Sequence, residues 1–338
     1  MTARIDFPED RSASSPGWKR AAVTGLKLAV TMGLLALVFF RFSDPQAIVA
    51  HLKSFPLQGL LLPLACMAAS LVFFAARWNA ILAATARPLR FDALFKATLA
   101  ALFFSQALPT GLGGDVYRVW YARRAGIALP QAVSSVVLDR VLALAAAVVF
   151  IAAALPVLLS LPELAPISLL LIAAPVVAIG GLSVIAILDR LTGILPPLQR
   201  PGLAALAASL AALGADGRKL ARSWPWGIAS FLLALVNQLL FGLTVYGLGQ
   251  GLGIELPLTS VLILFPPVLL LSMVPISLAG WGVREGAMVY FLGAAGIPAE
   301  PALSASILFG LLNLVIALPG GIVWVLDRPA ASPTRGQK

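Results

Sequence analysis

Long apolar runs follow one another along almost the whole 338-residue chain, and short polar segments separate them. A run of about 20 residues crosses a bilayer as a helix, because a helix satisfies its own backbone hydrogen bonds in lipid. The sequence therefore predicts an all-α polytopic membrane protein and excludes a soluble globular fold. The runs are residues 21–40, 57–83, 91–108, 131–155, 166–188, 225–249, 257–274, 282–294 and 302–326.

The few charged residues are mostly basic and lie mainly between the apolar runs. Charged residues make up 11% of the chain and hydrophobic residues 60%, yet the formal net charge is +10. Basic residues beside membrane spans set the orientation of those spans and contact anionic headgroups. We therefore expect anionic inner-leaflet lipids, and no nucleic acid, as partners of these residues.

Residues that usually carry enzyme chemistry are scarce. The chain has one cysteine, Cys66, and one histidine, His51, which we place in a short predicted loop. One cysteine excludes an intrachain disulfide, and this content does not favour a His/Cys metal centre. The sequence also has no Ser-His-Asp, paired-carboxylate or nucleotide-loop pattern. We expect no metal, no cofactor and no enzymatic activity.

A ten-residue phrase occurs twice, at 109–118 and at 275–284, with Pro, Leu, Gly and Arg at the same four offsets. Each copy comes directly after an apolar run, and its Pro and Gly residues break the helical pattern there. Pro/Gly-interrupted segments at corresponding places in two halves indicate the substrate site of a transporter. The predicted helix breaks are Pro109, Gly111, Gly113 and Gly114 in the first copy, and Pro275, Gly280 and Gly282 in the second.

Two topologies are compatible with the apolar runs. If runs 91–108 and 257–274 both cross the membrane, 9 loop Lys and Arg residues lie inside and 11 outside. If 91–124 and 257–294 are instead re-entrant hairpins, 16 lie inside and only Arg41 and Lys53 lie outside. The positive-inside bias favours the second topology. It predicts six full spans, two re-entrant hairpins and two cytoplasmic termini.

The favoured topology divides the chain into two similar halves. Residues 19–155 and 166–328 each read span, span, hairpin, span, and the second half starts from the opposite side. This order predicts an inverted repeat within one membrane domain, residues 19–328. The remaining segments are cytoplasmic tails at 1–18 and 329–338 and a long cytoplasmic connection at 189–224, in which 203–221 is a predicted interfacial helix.

Six ionisable residues lie too deep in the predicted membrane domain to reach the headgroups. They are Asp115, Arg118, Asp139, Arg140, Arg284 and Glu285. Their charges sum to zero, so one interpretation is three structural ion pairs. The other is that the arginines bind an anionic group, since a guanidinium donates two parallel hydrogen bonds to a phosphate. We interpret Lys27, Arg77 and Lys96 as residues that reach the cytoplasmic interface.

Polar amides inside the runs are further candidates for the substrate path. Asn237, Gln238, Asn313 and Gln106 either line that path or hold helices together by hydrogen bonds.

Three segments resemble one known family. They are Leu108-Pro-Thr-Gly-Leu-Gly-Gly-Asp-Val-Tyr-Arg118, Val137-Leu-Asp-Arg140 and Val274-Pro-Ile-Ser-Leu-Ala-Gly-Trp-Gly-Val-Arg-Glu-Gly286. Over about residues 20–328 the chain resembles the lysylphosphatidylglycerol synthase transmembrane-domain family, also described as a flippase-like or UPF0104-type domain. The resemblance implies a bacterial inner-membrane protein that moves a phospholipid between leaflets, and not a synthase.

From the residues and the resemblance together, we expect a translocator of a polar, anionic or phosphate-containing lipid. Arg118, Arg140 and Arg284 would hold the headgroup, and Asp115, Asp139 and Glu285 would orient these arginines. A small-solute or ion-coupled secondary transporter and a non-transporting scaffold for a lipid-modifying partner are the alternatives. The sequence is also compatible with a homodimer.

Overall fold

The computed structural model describes residues 25–26, 28–37, 44–108, 112–194, 204–274, 277 and 280–326, and within them every regular element is a helix. The α-helices are α1 (Leu28–Leu37), α2 (Pro45–Ser54), α3 (Leu61–Thr85), α4 (Phe91–Ala107), α5 (Gly113–Arg124), α6 (Leu129–Ser160), α7 (Ser168–Ile194), α8 (Ala204–Arg222), α9 (Trp224–Gly251), α10 (Leu258–Ser272), α11 (Val283–Gly293) and α12 (Ala299–Leu326). Short 3₁₀ turns at Leu57–Leu60 and Pro162–Ile167 lead into α3 and α7.

Five of the helical segments are long and apolar enough to cross a membrane: Leu57–Thr85, Leu129–Ser160, Pro162–Ile185, Trp224–Gly251 and Ala299–Leu326. These five correspond to predicted spans, so the prediction of a polytopic α-helical membrane protein is confirmed. The sixth predicted span, 21–40, is described only in part, as α1. Helix α7 continues to Ile194, whereas the sequence placed a connection from residue 189 onward.

Two pairs of shorter helices occupy the positions of the two predicted hairpins. Helix α4 has 17 residues and α5 has 12, whereas α10 has 15 and α11 has 11. At about 1.5 Å per residue, each of them is shorter than the thickness of a hydrocarbon core, about 30 Å. In each pair the second helix packs back along the first. The predicted breaks Pro109, Gly111 and Pro275 lie outside the described residues.

The breaks that are described depend on glycine for two different reasons. Gly282 precedes α11 with φ at 86°, a conformation that side chains with a Cβ rarely adopt. At the first break, a Cβ on Gly114 would collide with the Ala101 carbonyl oxygen and the Ser105 hydroxyl. Gly114 therefore lets α5 pack directly against α4, and this contact places the residues that follow it.

Helices α2 and α8 lie outside the nine apolar runs. The prediction that His51 lies in a loop is wrong, because this residue belongs to α2. The sequence contained a signal for the start of this helix, since Asp44 is a favoured N-cap residue and Pro45 a favoured first helical residue. In the structure, Asp44 accepts a hydrogen bond from the Gln46 N–H at 2.9 Å. Helix α8 confirms the helix predicted over residues 203–221, and it packs against α6 and α7.

The helices pack in a pattern that pairs the two halves of the chain. Helices α3 and α9 form the largest contact, α4 lies on α12, and α10 lies on α6. Helix α5 also contacts α6, and α11 contacts α12. The largest apolar core includes Leu248, Phe265, Met288 and Phe291, while a smaller core around Trp78 fixes α3, α4, α5 and α6 together.

Small residues allow the closest helix contacts in this packing. A Cβ on Gly320 of α12 would overlap the carbonyl of Leu99 on α4. Helix association in membranes relies on such close approach, because lipid removes the hydrophobic drive between helices.

We expect Gly320→Ala to lower the free energy of unfolding by about 1–3 kcal/mol, because the added methyl group must push α12 away from α4. Gly180→Ala on α7 is the matched control, since a Cβ there meets nothing within 4 Å. Thermal melting of both variants in detergent measures the effect. Equal melting temperatures would contradict the close contact of α12 and α4.

Candidate functional site

Five charged side chains from three helices form one connected cluster, which we call the arginine cluster. They are Arg77 on α3, Asp115 and Arg118 on α5, and Asp139 and Arg140 on α6. The Nε of Arg77 lies 2.6 Å from one Asp139 oxygen, and a terminal nitrogen of Arg118 lies 3.0 Å from the other. Asp139 is therefore shared between two buried arginines.

The second carboxylate of the cluster joins the other two residues. Arg140 donates to both oxygens of Asp115, from Nε at 3.0 Å and from a terminal nitrogen at 3.2 Å. Arg118 lies one helical turn after Asp115, and its terminal nitrogen is 3.7 Å from that carboxylate. The cluster thus contains three guanidinium and two carboxylate groups, and it carries one positive charge in excess.

This arrangement differs from three neutral pairs. Adjacent residues on a helix point about 100° apart, so Asp139 and Arg140 face different neighbours and do not pair with each other. Asp139 is fully buried, whereas Arg140 is 44% exposed. The six predicted residues sum to zero charge, but Arg77 also belongs to this cluster and leaves it with one positive charge in excess.

The interpretation of Arg77 as an interfacial residue is also wrong. Its side chain is 3% exposed and bonded to Asp139. Helix α3 continues two turns beyond Arg77, to Thr85, which keeps the side chain away from the helix end. The position of Arg77 inside a long apolar run was a signal for a buried role, since intramembrane charges usually face the bundle interior.

Arg118 lies among aromatic rings. Its guanidinium is 4.3 Å from the ring centroid of Trp78 and 4.7 Å from that of Phe74, so cation–π attraction adds to the ion pairs. Its Nε and one terminal nitrogen have no hydrogen-bond partner, although the side chain is almost fully buried. Arg118 therefore keeps unused hydrogen-bond donors in a site of low polarity.

A cavity of about 220 Å³ lies beside the arginine cluster and is lined by residues from six helices. Asp115, Arg118 and Arg140 supply its charged wall. Its other lining residues are Met67, Ser70, Leu71, Phe74, Thr98, Ala101, Leu102, Ser105, Gly114, Asn237, Phe241, Asn313 and Ile316. The predicted path residues Asn237 and Asn313 thus reach the cavity, whereas Gln106 and Gln238 are not among these lining residues.

The arginine of the second phrase belongs to a different cluster. Arg284 donates to a Glu285 oxygen from a terminal nitrogen at 2.6 Å and from Nε at 3.1 Å. Ser306 donates to the same oxygen at 3.1 Å, and the other Glu285 oxygen accepts the N–H of Gly282 at 2.5 Å. Glu285 therefore caps the N-terminus of α11, and both of its carboxylate oxygens accept hydrogen bonds from groups of the protein.

Apolar rings lie between the two clusters. Phe309 packs on Arg284, with 5.6 Å from the guanidinium carbon to the ring centroid, and on the ring of Phe241 at 6.2 Å. Phe241 in turn lines the cavity. The structure thus brings four predicted site residues together in the arginine cluster, and it places Arg284 and Glu285 apart from them.

The charges of the arginine cluster are suited to binding an anion. Within the described ranges, no group of three His, Cys, Asp or Glu side chains is placed to hold a metal ion. The carboxylates of the arginine cluster are both bonded to arginines. A negatively charged group in the cavity would instead meet an excess positive charge.

We expect Asp139→Ala to destabilise the protein by roughly 3–5 kcal/mol, because two buried arginines lose their shared carboxylate. Asp92→Ala is the matched control, since Asp92 forms an exposed pair with Arg90, and such pairs contribute about 0–1 kcal/mol. Folded yield and thermal melting of both variants test this. Equal behaviour would mean that Asp139 does not hold the cluster together.

Comparison with known proteins agrees with this architecture. A search of curated proteins finds no match. A family model described as the lysylphosphatidylglycerol synthase TM region matches residues 25–321, which include all twelve helices except the end of α12. The match covers most of the chain and confirms the resemblance seen in its repeated phrases. This membrane protein therefore belongs to the lysylphosphatidylglycerol synthase transmembrane-region family.

Proposed function

We propose that this protein moves a polar lipid with an anionic or phosphate-containing headgroup between the leaflets of the bacterial inner membrane, without enzymatic chemistry. Membership of the family supports a membrane function related to lipids. The observation that carries the finer proposal is the arginine cluster, whose excess positive charge lines a cavity inside the membrane domain.

The properties of the cavity favour a phosphate group as the occupant. A buried charge in excess is expensive in a bilayer, and a bound anion would balance it. An anion in the cavity would also provide an acceptor beside Arg118, whose Nε and one terminal nitrogen have none. One guanidinium can donate two parallel hydrogen bonds to two oxygens of a phosphate, so Arg118 and Arg140 are suited to hold such a headgroup.

The surroundings of the cavity favour a lipid over a small solute. Drug-sized ligands occupy sites of about 300–1,000 Å³, so a cavity of about 220 Å³ holds a headgroup and not a whole lipid. Arg140 is half-exposed at its edge, and Leu112 and Val116 beside Asp115 expose more than half of their surfaces. Such an edge lets acyl chains remain in the bilayer while the headgroup enters.

We infer that the two halves form an inverted repeat with six full spans. The paired contacts of α3 with α9, of α4 with α12 and of α10 with α6 support a two-fold relation between halves. Each half then has three spans, an odd number, so the second half starts on the opposite side of the membrane and has the inverted orientation. Both termini then lie in the cytoplasm, and the two hairpins enter from opposite sides.

Cysteine labelling tests this topology. In a Cys66→Ala background, we expect Arg124→Cys to react with an impermeant thiol reagent only from the cytoplasmic side, and Pro298→Cys only from the outside. Arg90→Cys is the control for cytoplasmic labelling, because Arg90 is exposed just before the first hairpin. If α4 crossed the membrane instead, Arg124→Cys would react from the outside, and the re-entrant arrangement would be wrong.

Arg140 offers a direct test of headgroup binding, because it is partly exposed and its loss leaves the Asp139 pairs intact. We expect Arg140→Gln to lower lipid translocation at least about tenfold at unchanged folded yield, and Arg140→Lys to recover only part of the activity, since lysine lacks the two-pronged contact. Translocation in reconstituted vesicles and melting temperature are measured on the same samples.

Arg90→Gln is the matched control, since Arg90 is an exposed arginine paired with an aspartate outside the cavity. This variant should keep normal translocation. Full activity in well-folded Arg140→Gln would contradict headgroup binding at the arginine cluster. A loss of activity that follows a loss of folded protein would assign Arg140 a structural role only.

A further inference from the structure

The part of the cavity wall that comes from α3, α4 and α12 presents hydrogen-bond acceptors. Ser70, Thr98 and Asn313 each donate a proton to a main-chain carbonyl of their own helix, at 2.7, 2.9 and 2.9 Å. A hydroxyl that donates its one proton keeps its lone pairs, and the Asn313 amide keeps its oxygen. Ser70 and Thr98 therefore line the cavity with oxygens that can only accept, while Asn313 lines it with its amide oxygen and its second N–H.

Helix α9 adds a fourth acceptor. Asn237 lines the same cavity, its side chain is 4% exposed, and its Oδ1 has no hydrogen-bond partner. An unpaired buried acceptor is unfavourable, so it favours a ligand that brings a donor. The cavity therefore combines a cationic wall on α5 and α6 with a neutral, acceptor-rich wall on the other helices.

A ligand that matches both walls has an anionic group and hydrogen-bond donors. Hydroxyl and ammonium groups are the two donors common in lipid headgroups, and the charges of the cavity distinguish them. Among the described lining residues, Asp115 is the only carboxylate, and it is bonded to Arg140. An ammonium would therefore meet neutral oxygens and a net positive cluster, while a hydroxyl needs only the neutral oxygens.

We propose that the cavity selects a monoanionic phosphodiester headgroup that carries free hydroxyls, and that it disfavours zwitterionic headgroups with an ammonium. The phosphate contacts Arg118 and Arg140, and the hydroxyls donate to Asn237 and to the oxygens of Ser70, Thr98 and Asn313. This inference rests on the proposed translocation function and specifies the substrate class of the same site.

Three lipids with the same fluorescent acyl chain separate charge from hydroxyl content. Phosphatidylglycerol is monoanionic and hydroxylated, phosphatidylmethanol is monoanionic without a hydroxyl, and phosphatidylethanolamine is zwitterionic with an ammonium. Each is reconstituted with the full chain in vesicles, with and without an imposed proton gradient and membrane potential. Chemical quenching of the outer leaflet then follows translocation.

We expect phosphatidylglycerol to move about tenfold or more faster than either other lipid. Phosphatidylmethanol lacks the hydroxyl donors, and the ammonium of phosphatidylethanolamine meets the net positive cluster. Equal rates for phosphatidylglycerol and phosphatidylmethanol would overturn the role of the acceptor wall. Phosphatidylethanolamine as the fastest lipid would overturn the charge selection. If none of the three moves faster than in protein-free vesicles under any condition, the proposed function itself fails.

Variants of Asn237 test the same inference on the protein side. Asn237→Leu should reduce the ratio of the phosphatidylglycerol rate to the phosphatidylmethanol rate toward one. Asn237→Asp should raise the rate for phosphatidylethanolamine relative to phosphatidylglycerol, because it supplies a carboxylate for an ammonium. Gln238→Leu is the matched control, since Gln238 is a buried amide on the same helix but is not among the cavity-lining residues. Unchanged ratios in both well-folded Asn237 variants would contradict the assignment.

Discussion

The shared carboxylate of Asp139 is the interaction on which the membrane domain depends. It lies fully buried between Arg77 and Arg118, and the three residues come from α3, α5 and α6. Unpaired charges are too costly to remain in a bilayer, so these helices must meet where Asp139 lies. Because α5 belongs to the first pair of short helices, Asp139 also ties that pair to α3 and α6. The cavity forms beside this junction, and its charge follows from the same three residues and the neighbouring Asp115–Arg140 pair.

The two repeated phrases have taken different roles around their arginines. In the second phrase, Glu285 follows Arg284 directly and engages it, together with Ser306 and the start of α11. In the first phrase, Arg118 pairs with Asp115 on its own helix and with Asp139 on α6. Its Nε and one terminal nitrogen still have no hydrogen-bond partner. One hairpin is therefore held by a local, nearly self-contained ion pair, whereas the other leaves a positive charge beside a cavity.

The cavity also shows why neutral polar residues matter in a membrane protein of this kind. Ser70, Thr98 and Asn313 each donate one hydrogen bond to a carbonyl of their own helix, which lowers the cost of burying them in a bilayer. The same arrangement turns their oxygens into a ready set of acceptors. Substrate selectivity would then come from residues that otherwise serve only as glue between helices.

The sequence by itself determined the class of structure and the residues that must be buried. Apolar runs of helical length, short interrupted runs, the loop arginines and the repeated phrase together predicted a polytopic helical protein with two short helical pairs. They also singled out six ionisable residues, four of which form the arginine cluster with Arg77, since charges deep in a membrane domain need partners. Only the tertiary structure decided which partners these are. The pairs join residues between 21 and 62 positions apart, on helices whose rotation depends on glycine contacts such as Gly114 with Ala101. Arg77 and the separation of Arg284 from the cavity were missed for the same reason: a linear pattern gives depth in the membrane, whereas the direction in which a side chain points depends on how the helices pack.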